Sequence, residues 1–406
     1  MSFNYRDRFH IPKGPDGADC AYLCGHSLGL QPKSVRAYIE QELSDWEALG
    51  VEGHFRARHP WVQYNRLLTE QTARLVGAKP IEVVAMNSLT VNLHLLMASF
   101  YRPTPARHRI VIEEHAFPSD QYAVKSQIRF HGYDPAKSLA TISGEDELEE
   151  LLDREGESVT LVLMGGINYF SGRAFDLARV TRAAHAAGCI AGFDLAHAAG
   201  NITLKLHEWD VDFAAWCTYK YLNGGPGSIG AGFVHERHAR EETLPRLTGW
   251  WGHELETRFR MGPDFHATPG AEGWQVSNPP VLALAALRAS MDMFDEAGME
   301  RLRAKSVELT GYLQSRLDRD ADRGFAIVTP RDPERRGAQL SIRVPGSAHS
   351  VCERLREAGV ICDWREPDVL RVAPAPLYNT AEDIDRFVDH FVRALDGSNS
   401  PRMRSR

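Results

Sequence analysis

The sequence has few cysteines and no apolar run long enough to cross a membrane. Six of its 406 residues are cysteine, and no two of them form the Cys-x-x-Cys pair of redox and zinc motifs. No apolar stretch reaches the roughly 18 residues of a membrane helix. The start of the chain also lacks the apolar core of a signal peptide. We therefore expect a cytoplasmic protein with reduced, buried cysteines.

A surplus of positive charge is also missing. The chain has 47 Lys and Arg against 54 Asp and Glu, a formal net charge of -7, which argues against a nucleic-acid-binding protein. With 43% hydrophobic and 25% charged residues, it has the composition of a globular protein. His235 and His238 are spaced for one helical face, but no Glu or Cys pattern accompanies them, so we expect no metal site.

Residues 189–227 place an acid, an imidazole and an amine at the ends of two apolar runs. Asp194 follows the buried run 190–193, at the strand edge where open α/β sheets bind ligands. His197 lies three residues further on, and Lys220 follows the second run. Pyridoxal phosphate (PLP) needs an amine to hold its aldehyde as a Schiff base and a carboxylate to keep its pyridine nitrogen protonated. The segment predicts PLP on Lys220, with Asp194 at the ring nitrogen and His197 beside the ring.

Taken singly, these residues have plainer interpretations. An Asp after a strand is commonly a turn former or a helix cap, and a Lys before a glycine-rich loop is commonly solvated. Gly225, Gly227 and Gly230 also fit the GxGxxG pattern of a nicotinamide-dependent dehydrogenase. That motif should open a helix, whereas the residues after Gly230 have the pattern of a strand, which argues against the dehydrogenase.

Two further segments carry candidate cofactor contacts. A helix opened by Thr90, directly after Leu89, would present free N–H groups to a phosphate. In residues 115–120, Phe117 has an aromatic face that would cover one side of a planar cofactor. The alternative is that Phe117 is a core residue and that Ser119 or Asp120 caps a helix.

The order of the predicted elements indicates an α/β fold. Buried-strand patterns at residues 109–113, 159–165 and 190–193 alternate with helical periodicity, which predicts a mostly parallel central sheet flanked by helices. A smaller α+β domain should follow a long apolar helix. We expect an N-terminal arm over 1–60, a large PLP-binding domain over 61–280, a connecting helix over 281–299, a small C-terminal domain over 300–396 and a basic flexible tail over 397–406.

Eight segments, in order along nearly the whole chain, carry a family resemblance. They are GHSLGLQPK (25–33), NSLTVNLHLLM (87–97), HAFPSDQYA (115–123), GFDLAHAAGN (192–201), WCTYKYLNGGPG (216–227), GWWGHE (249–254), SNPP (277–280) and RVAPAPLYN (371–379). In these segments the chain resembles the kynureninases, which are fold type I PLP enzymes of the aminotransferase superfamily. The resemblance implies a hydrolase that cleaves the bond between the β and γ carbons of L-kynurenine, or of 3-hydroxykynurenine, in tryptophan catabolism and pyridine nucleotide synthesis. The products would be anthranilate, or 3-hydroxyanthranilate, and L-alanine.

The resemblance also implies site residues and a homodimer with shared active sites. Catalytic roles would fall to Lys220, Tyr219 and Asp194. The positions implied to line the cofactor are Leu89, Thr90, Phe117, Pro118, Ser119, Asp120, Asp194, His197, Tyr219, Lys220, Trp250 and Asn278. Of these, Trp250 and Asn278 would reach the phosphate of the neighbouring subunit.

Substrate contacts follow from the same resemblance. Arg371 would grip the α-carboxylate with two parallel hydrogen bonds, and the other implied substrate positions are Asn278, His54, Ser27 and Trp251. His26 departs from the asparagine expected at its position, so the preferred ring of the substrate stays open. Another fold type I enzyme, such as a cysteine desulfurase or a class V aminotransferase, remains an alternative, as does a protein that binds PLP without turnover.

Overall fold

The computed structural model describes residues 4–239, 241 and 243–398. The strands are β1 (Ala21–Tyr22), β2 (Val83–Ala85), β3 (Arg109–Glu113), β4 (Leu139–Ile142), β5 (Val159–Gly165), β6 (Ile190–Asp194), β7 (Phe213–Trp216), β8 (Ala231–Val234), β9 (Ala326–Ile327), β10 (Leu340–Arg343), β11 (Val360–Ile361), β12 (Asp363–Arg365) and β13 (Val369–Val372). The α-helices are α1 (Val35–Leu49), α2 (Gly53–Arg56), α3 (Thr69–Val76), α4 (Leu89–Phe100), α5 (Pro118–Phe130), α6 (Pro135–Ser138), α7 (Glu145–Glu155), α8 (Leu177–Ala186), α9 (Glu236–Ala239), α10 (Leu255–Arg258), α11 (Val281–Ala297), α12 (Met299–Asp318), α13 (Ala348–Glu357) and α14 (Ala381–Ser398).

A seven-stranded sheet forms the centre of the fold, in the order β2-β8-β7-β6-β5-β3-β4. The strands from β7 to β4 pair in parallel, whereas β8 pairs antiparallel with both β7 and β2. Parallel neighbours need crossover connections, and α5, α7 and α8 lie in these connections. This arrangement confirms the predicted α/β class with a mostly parallel sheet.

The alternation of side chains along β5 shows why both faces of the sheet are buried. Every residue of β5 is buried. Val162 and Met164 belong to one hydrophobic cluster, and Leu161 and Leu163 belong to another. Because successive side chains point to opposite faces of a strand, a continuous apolar run fits a sheet covered by helices on both sides.

A second, antiparallel sheet has the strand order β12-β13-β10-β9. Its apolar side chains share a hydrophobic cluster with residues of α12, α13 and α14. Near the N-terminus, β1 pairs in parallel with β11. This pairing brings the segment that follows β1 close to β12 and β13, which matters for the site described below.

Several predicted bounds need correction. Residues 62–76, whose apolar periodicity predicts one helix, instead form a 3-10 helix at Trp61–Leu68 followed by α3. Helix α4 begins at Leu89 rather than at Thr90. The tail expected over 397–406 begins inside α14, and residues 399–406 lie outside the described residues. In the described part of the chain, no helix is both long and apolar enough to cross a membrane.

Candidate active site

A cavity of about 280 Å³ lies at the carboxyl ends of β3, β5, β6 and β7, near the lower end of the roughly 300–1,000 Å³ typical of small-molecule sites. The starts of α4 and α5 form another part of its wall. Its lining residues are Ser88, Leu89, Thr90, Glu113, Phe117, Ser119, Asp120, Gly165, Ile167, Tyr169, Asp194, Ala196, His197, Tyr219 and Lys220. All but three of the predicted cofactor positions are among them.

Lys220 is held in the turn that follows β7. Its carbonyl oxygen accepts a hydrogen bond of 3.0 Å from the amide of Asn223, and the carbonyl oxygen of Tyr219 accepts one of 2.8 Å from the amide of Gly29. A Cβ atom on Gly29 would collide with the Lys220 carbonyl oxygen and with Asn223. The glycine in the motif GHSLGLQPK is therefore needed for close packing against the backbone that carries Lys220.

Asp194 ends β6 and faces the cavity from between two paired strands. Its neighbours in register are Gly165 on β5 and Ala215 on β7, so the pairing on both sides fixes its position. The Oδ1 atom accepts a hydrogen bond of 2.7 Å from the amide of Ala196. Burial raises the pKa of Asp194, and the nearby ammonium of Lys220 opposes that shift. Asp194 and Lys220 therefore place a carboxylate and an amine in the same cavity.

Two buried polar atoms in the cavity wall have no hydrogen-bond partner among the described residues: Asp120 Oδ1 and His197 Nδ1. Burial lowers the pKa of His197 well below its ordinary value, so its imidazole is neutral at pH 7. Burial and the neighbouring Asp194 raise the pKa of Asp120. Unpaired buried polar groups are costly. The cavity therefore fits a ligand that has hydrogen-bonding groups of its own.

Two helices begin at the cavity. Ser88 precedes α4, and Ser119 lies in the first turn of α5. The hydroxyl of Thr90 is 2.8 Å from that of Ser119, so the two helix starts meet. Free backbone N–H groups and hydroxyls at helix starts favour a phosphate.

Aromatic side chains form one wall. The ring of Phe117 meets that of Tyr169 edge to face, with centroids 5.1 Å apart. Lys220 Nζ lies 5.8 Å from the centroid of Phe117 and 5.9 Å from that of Tyr219. Burial raises the pKa of Tyr219, so its hydroxyl keeps its proton at neutral pH. An amine flanked by apolar faces and a hydroxyl donor suits a planar, reactive cofactor.

The glycine-rich loop does not have the structure of a dinucleotide site. Gly225 and Gly227 have φ values of 96° and 65°, and the loop runs into β8 instead of opening a helix. A Cβ atom on Gly230 would crowd the backbone of Ser88 and Leu89. This glycine therefore allows the start of α4 to pack against the loop, and the dehydrogenase interpretation is wrong.

Arg371 lies outside the residues that line the cavity, but it bonds to one of them. It is buried, and its Nη1 atom donates a hydrogen bond of 3.0 Å to the Tyr169 carbonyl oxygen. Its Nε and Nη2 atoms donate hydrogen bonds to Asp363. Pro118 begins α5 between two lining residues. Ser27 is half-buried in a turn, where its amide donates to the Cys24 carbonyl oxygen.

Four other predicted positions lie away from the cavity in the described part of one chain. They are His54, Trp250, Trp251 and Asn278. His54 is half-buried, with its ring 5.4 Å from that of Trp61. Asn278 is exposed before α11, whereas Trp251 is buried against Arg258.

Trp250 belongs to an exposed group of apolar side chains. Its ring lies 5.5 Å from that of Phe259, which lies 5.6 Å from that of Phe55. We call Trp250, Phe259 and Phe55 the aromatic surface, and each of the three is more than 40% exposed. A Cβ atom on Gly249 would collide with the backbone of Val276. The segments that carry Trp250 and Asn278 therefore run side by side.

Sequence reasoning missed six lining residues: Ser88, Glu113, Gly165, Ile167, Tyr169 and Ala196. Glu113 and Gly165 end β3 and β5, so the rule that ligands bind at the carboxyl ends of parallel strands could have found them. Burial raises the pKa of Glu113 to about 7. No local signal marks Tyr169, because its loop reaches the cavity only through the packing of distant segments.

Two groups of side chains have the composition of metal sites in the described residues: Glu82, His207 and His235, and Cys24, His26 and Asp363. The Glu82 carboxylate already accepts a hydrogen bond of 2.9 Å from His207 and two from backbone amides. The Asp363 carboxylate is paired with Arg371. Since each carboxylate is engaged by donors of the chain itself, we assign a metal to neither group. His238, predicted to share a face with His235, bonds elsewhere.

Comparison with known proteins identifies close relatives. A family model described as "Kynureninase C-terminal domain" matches residues 302–391. The kynureninase of Koribacter versatilis is 66% identical over 401 residues, which cover 97% of this chain and 94% of that protein. The kynureninase of Myxococcus xanthus is 59% identical over 393 residues, which cover 95% and 92%.

Solved structures agree on the fold. An apo cysteine desulfurase from Thermococcus onnurineus NA1 matches with a TM-score of 0.77 and 18% identity, over 96% of this chain and 99% of that chain. A lysine-to-alanine mutant of C-DES, with glycine covalently linked to its PLP cofactor, matches with a TM-score of 0.79 and 16% identity, over 96% and 99%. At these identities the likeness shows the fold alone, and the fold is that of the predicted fold type I class.

Proposed function

Because the chain belongs to the kynureninase family, we propose that it hydrolyses L-kynurenine, with water, to anthranilate and L-alanine. The observation that carries the proposal is the cavity in which Lys220, Asp194 and His197 meet, within a chain 66% identical to a kynureninase over nearly its full length. Hydrolysis of 3-hydroxykynurenine to 3-hydroxyanthranilate and L-alanine would be the same reaction on a hydroxylated substrate.

The cavity residues suit PLP as the cofactor. Lys220 is the amine that would hold its aldehyde, Asp194 the carboxylate for its ring nitrogen, and the starts of α4 and α5 the seat for its phosphate. The unpaired Asp120 Oδ1 and His197 Nδ1 atoms would gain partners. When bound, PLP supplies an aldehyde for the substrate amine and a protonated ring that withdraws electrons from the α-carbon.

The chain's own residues then move protons and exclude water. The Lys220 amine removes the proton from the substrate α-carbon and returns it later as a general acid. Asp194 would supply a negative charge to the ring nitrogen, and His197, whose imidazole is neutral, would line the site without adding positive charge. Phe117 and the other apolar wall residues keep bulk water from the reacting carbon.

Tyr219 is a second proton carrier. Its hydroxyl stays protonated at neutral pH because burial raises its pKa, and its ring lies near the Lys220 amine. It therefore has a proton to donate to the γ-carbonyl oxygen while water adds to the γ carbon, or to the β carbon as the bond between the β and γ carbons breaks and the γ carbon leaves as the carboxylate of anthranilate. We assign catalytic roles to Lys220, Tyr219 and Asp194.

We further propose a homodimer with shared sites. The predicted positions missing from the cavity of one chain include Trp250 on the exposed aromatic surface, Asn278 beside it and His54 next to Phe55. Exposed apolar surfaces of this kind mark association sites. In a twofold dimer the same surface meets its copy, so each chain would supply these side chains to the site of its partner, with Trp251 behind them.

Cysteine usage supports a cytoplasmic location. All six cysteines are free and buried, as in proteins kept in a reducing compartment. Buried thiols also disfavour the cysteine desulfurase alternative, which would need a nucleophilic cysteine on an accessible loop. We also propose that the chain divides into domains at residues 60, 280 and 300. Its proposed role is in tryptophan catabolism.

The test of the proposed activity is direct. The purified, PLP-loaded protein is mixed with L-kynurenine, and the fluorescence of anthranilate and the amount of L-alanine are followed. We expect both products in equal amounts. Bound cofactor without either product would refute the proposal, and release of sulfur from L-cysteine instead would support the desulfurase.

A further inference from the structure

Arg371 is the centre of a buried charged group beside the cavity. In the second sheet it lies directly opposite Asp363 on the neighbouring strand β12. Its Nε and Nη2 atoms donate to the two carboxylate oxygens of Asp363, at 2.8 and 2.5 Å. A third hydrogen bond, from Nη1 to the Tyr169 carbonyl oxygen, connects the guanidinium to the cavity wall.

These contacts leave part of the guanidinium free for a ligand. A guanidinium has five N–H groups, and the described residues engage three of those of Arg371. Two N–H groups remain, which is the number that a two-pronged grip on a carboxylate needs. Because Asp363 takes the Nε side, the free N–H groups are on the terminal nitrogens.

Asp363 is itself held by two other side chains. His26 Nε2 lies 3.0 Å from Asp363 Oδ1, and Arg365 Nη2 lies 3.1 Å from Oδ2. Burial lowers the pKa of His26 to about 4, so at neutral pH a neutral imidazole donates this bond. Burial opposes the charge of Asp363, but His26 and Arg371 outweigh it and hold the pKa of Asp363 far below its usual range.

The charge balance of the group favours an anion. Two guanidinium groups, Arg365 and Arg371, share the single carboxylate of Asp363, and neutral His26 adds no charge. The group therefore carries one net positive charge beside the cavity. Arg365 is 36% exposed and therefore partly solvated, so the fold tolerates this surplus charge without a ligand, and the charge attracts an anion such as a substrate carboxylate.

The charged group around Arg371 also lies close to the cavity that is predicted to hold the cofactor. The ring of His26 is 6.4 Å from that of His197, which lines the cavity. Tyr169, whose carbonyl oxygen accepts a hydrogen bond from Arg371, lines the same cavity. Arg371 is thus connected to the cavity wall through Tyr169, and through Asp363 to His26, whose ring lies near that of His197.

We propose that Asp363 and His26 are positioning residues, with Asp363 orienting the two free N–H groups of Arg371 toward the α-carboxylate of the substrate and His26 holding Asp363 in place. This inference rests on the proposed function, since it presupposes an amino-acid substrate. Asp363 and His26 thus act through Arg371. His26 stands where an asparagine is expected, and its role here is to hold Asp363 in place.

The first experiment compares D363N with wild-type holoenzyme. Without the shared carboxylate, the two guanidinium groups repel each other and Arg371 loses its orientation. We expect KM for L-kynurenine to rise about 10- to 100-fold, the range for losing a hydrogen bond to a charged group. The value of kcat should stay within about threefold, because the contact is made equally in ground and transition states.

A matched control is available on the surface. Asp318 forms the same two-pronged pair with Arg331, at 2.8 and 2.9 Å, but both side chains are exposed. D318N should leave KM and kcat unchanged. A rise in KM in this control as large as in D363N would overturn the inference, because it would show a general effect of losing an Asp–Arg pair.

A binding measurement separates positioning from local misfolding. L-alanine and ethylamine, which lacks the carboxylate, are titrated into holoenzyme while the absorbance of the bound cofactor is followed. D363N should weaken L-alanine binding about 10-fold or more and leave ethylamine binding unchanged. Equal weakening of both ligands would point to a structural role and overturn the inference.

His26 is tested with a conservative pair of variants. H26Q retains a donor near the position of Nε2, whereas H26L removes it. We expect H26L to raise KM about 5-fold, less than D363N, because it loosens Asp363 but keeps the carboxylate that pairs with Arg371, and H26Q to restore most of the loss. Equal KM values for H26L and the wild type would remove His26 from the proposal.

The two proposals fail in different ways. If the wild type forms anthranilate but D363N keeps its KM, the positioning role is wrong and the activity stands. If the wild type forms no anthranilate, the proposed activity is wrong. The comparison of L-alanine with ethylamine then still decides whether Asp363 orients Arg371 for an amino acid.

Discussion

The carboxyl of Asp120 hydrogen-bonds to the carboxyl of Asp194 in the wall of the cavity. Both side chains are buried. Two carboxyls can share such a bond only when one carries a proton. Burial and the neighbouring charge of Asp194 raise the pKa of Asp120, whereas burial raises that of Asp194 against the opposing effects of Lys220 and the Ala196 amide. Asp120 is therefore the protonated partner, and its carboxyl O–H donates the hydrogen bond to the ionised carboxylate of Asp194.

The different protonation states of Asp120 and Asp194 predict unequal effects of replacing each by asparagine. D120N retains a neutral donor to Asp194, so we expect kcat/KM to change by less than about fivefold. D194N removes the negative charge and should lower PLP affinity and kcat/KM by about 10- to 100-fold or more. Steady-state kinetics and PLP titration of the two variants check the prediction. Equal losses would contradict the assignment of the proton to Asp120.

The role of Lys220 predicts loss of the covalent cofactor link. K220A should fold, because the hydrogen bond between Lys220 and Asn223 uses the Lys220 backbone. Its turnover should fall by a factor on the order of 1,000 or more. Borohydride reduction and peptide mass mapping should find the pyridoxyl group on Lys220 in the wild type and nowhere in K220A. K205A, which removes an exposed lysine paired with Glu208, should behave as the wild type.

Shared sites predict complementation between two inactive variants. Co-expressed K220A and the double variant W250A/N278A should recover about a quarter of wild-type activity. Half of randomly paired dimers are mixed, and each mixed dimer has one site with every residue intact. Each variant alone should show much less. Absence of recovery in dimers verified by sedimentation would place Trp250 and Asn278 outside the partner's site.

The aromatic surface makes a related prediction about assembly. F259E puts a charge in the middle of this surface, between Phe55 and Trp250. We expect a monomer in sedimentation velocity, with PLP binding weakened. F130E provides the control, because Phe130 is 85% exposed but lies outside the surface. A dimer in both variants would mean that the chains associate through another face.

A pH-dependent contribution to stability is expected at the opposite end of the sheet. His185 Nε2 donates a hydrogen bond of 2.8 Å to the carboxylate of Asp212, and this bond raises the pKa of His185. A raised folded-state pKa stabilises the fold below the unfolded value of about 6.5, and the contribution disappears as the pH rises through the folded value. In urea unfolding, H185Q should lose about 1 kcal/mol at pH 6 and less at pH 8.5.

Comparing H185Q with the wild type at the same pH isolates the contribution of His185 to the free energy of unfolding. His197 and His26 have lowered pKa values and so affect stability with the opposite sign, but they do so equally in wild type and H185Q. H349Q, at an exposed histidine beside Glu353, should show no such difference. A loss in H185Q that is the same at both pH values would contradict the charge-based explanation.

Much of the fold was predictable because it depends on short-range patterns. The apolar run of β5 and the helix α11 follow from which side chains can be buried at each periodicity. Asp194 was predictable for a related reason, since a strand that ends in an acid brings that acid to the edge where parallel strands bind ligands. Lys220 follows the next apolar run in the same way.

The remaining features depend on contacts between distant segments. Tyr169 reaches the cavity through a loop, and Asp363 meets Arg371 because two strands pair in one register and place them opposite each other. No periodicity within either strand specifies that register. His26 joins them because β1 pairs with β11, more than 330 residues away.

The sequence by itself determined the chemical parts: an amine, an acid and an imidazole on a parallel sheet, in motifs shared with one family. Only the tertiary structure decided how the charges are divided among them. Burial and the neighbouring groups set the protonation of Asp120, His197 and His26. The physical reason is that an ionisation equilibrium depends on desolvation and on nearby charges, which the folded chain creates between residues far apart in the sequence.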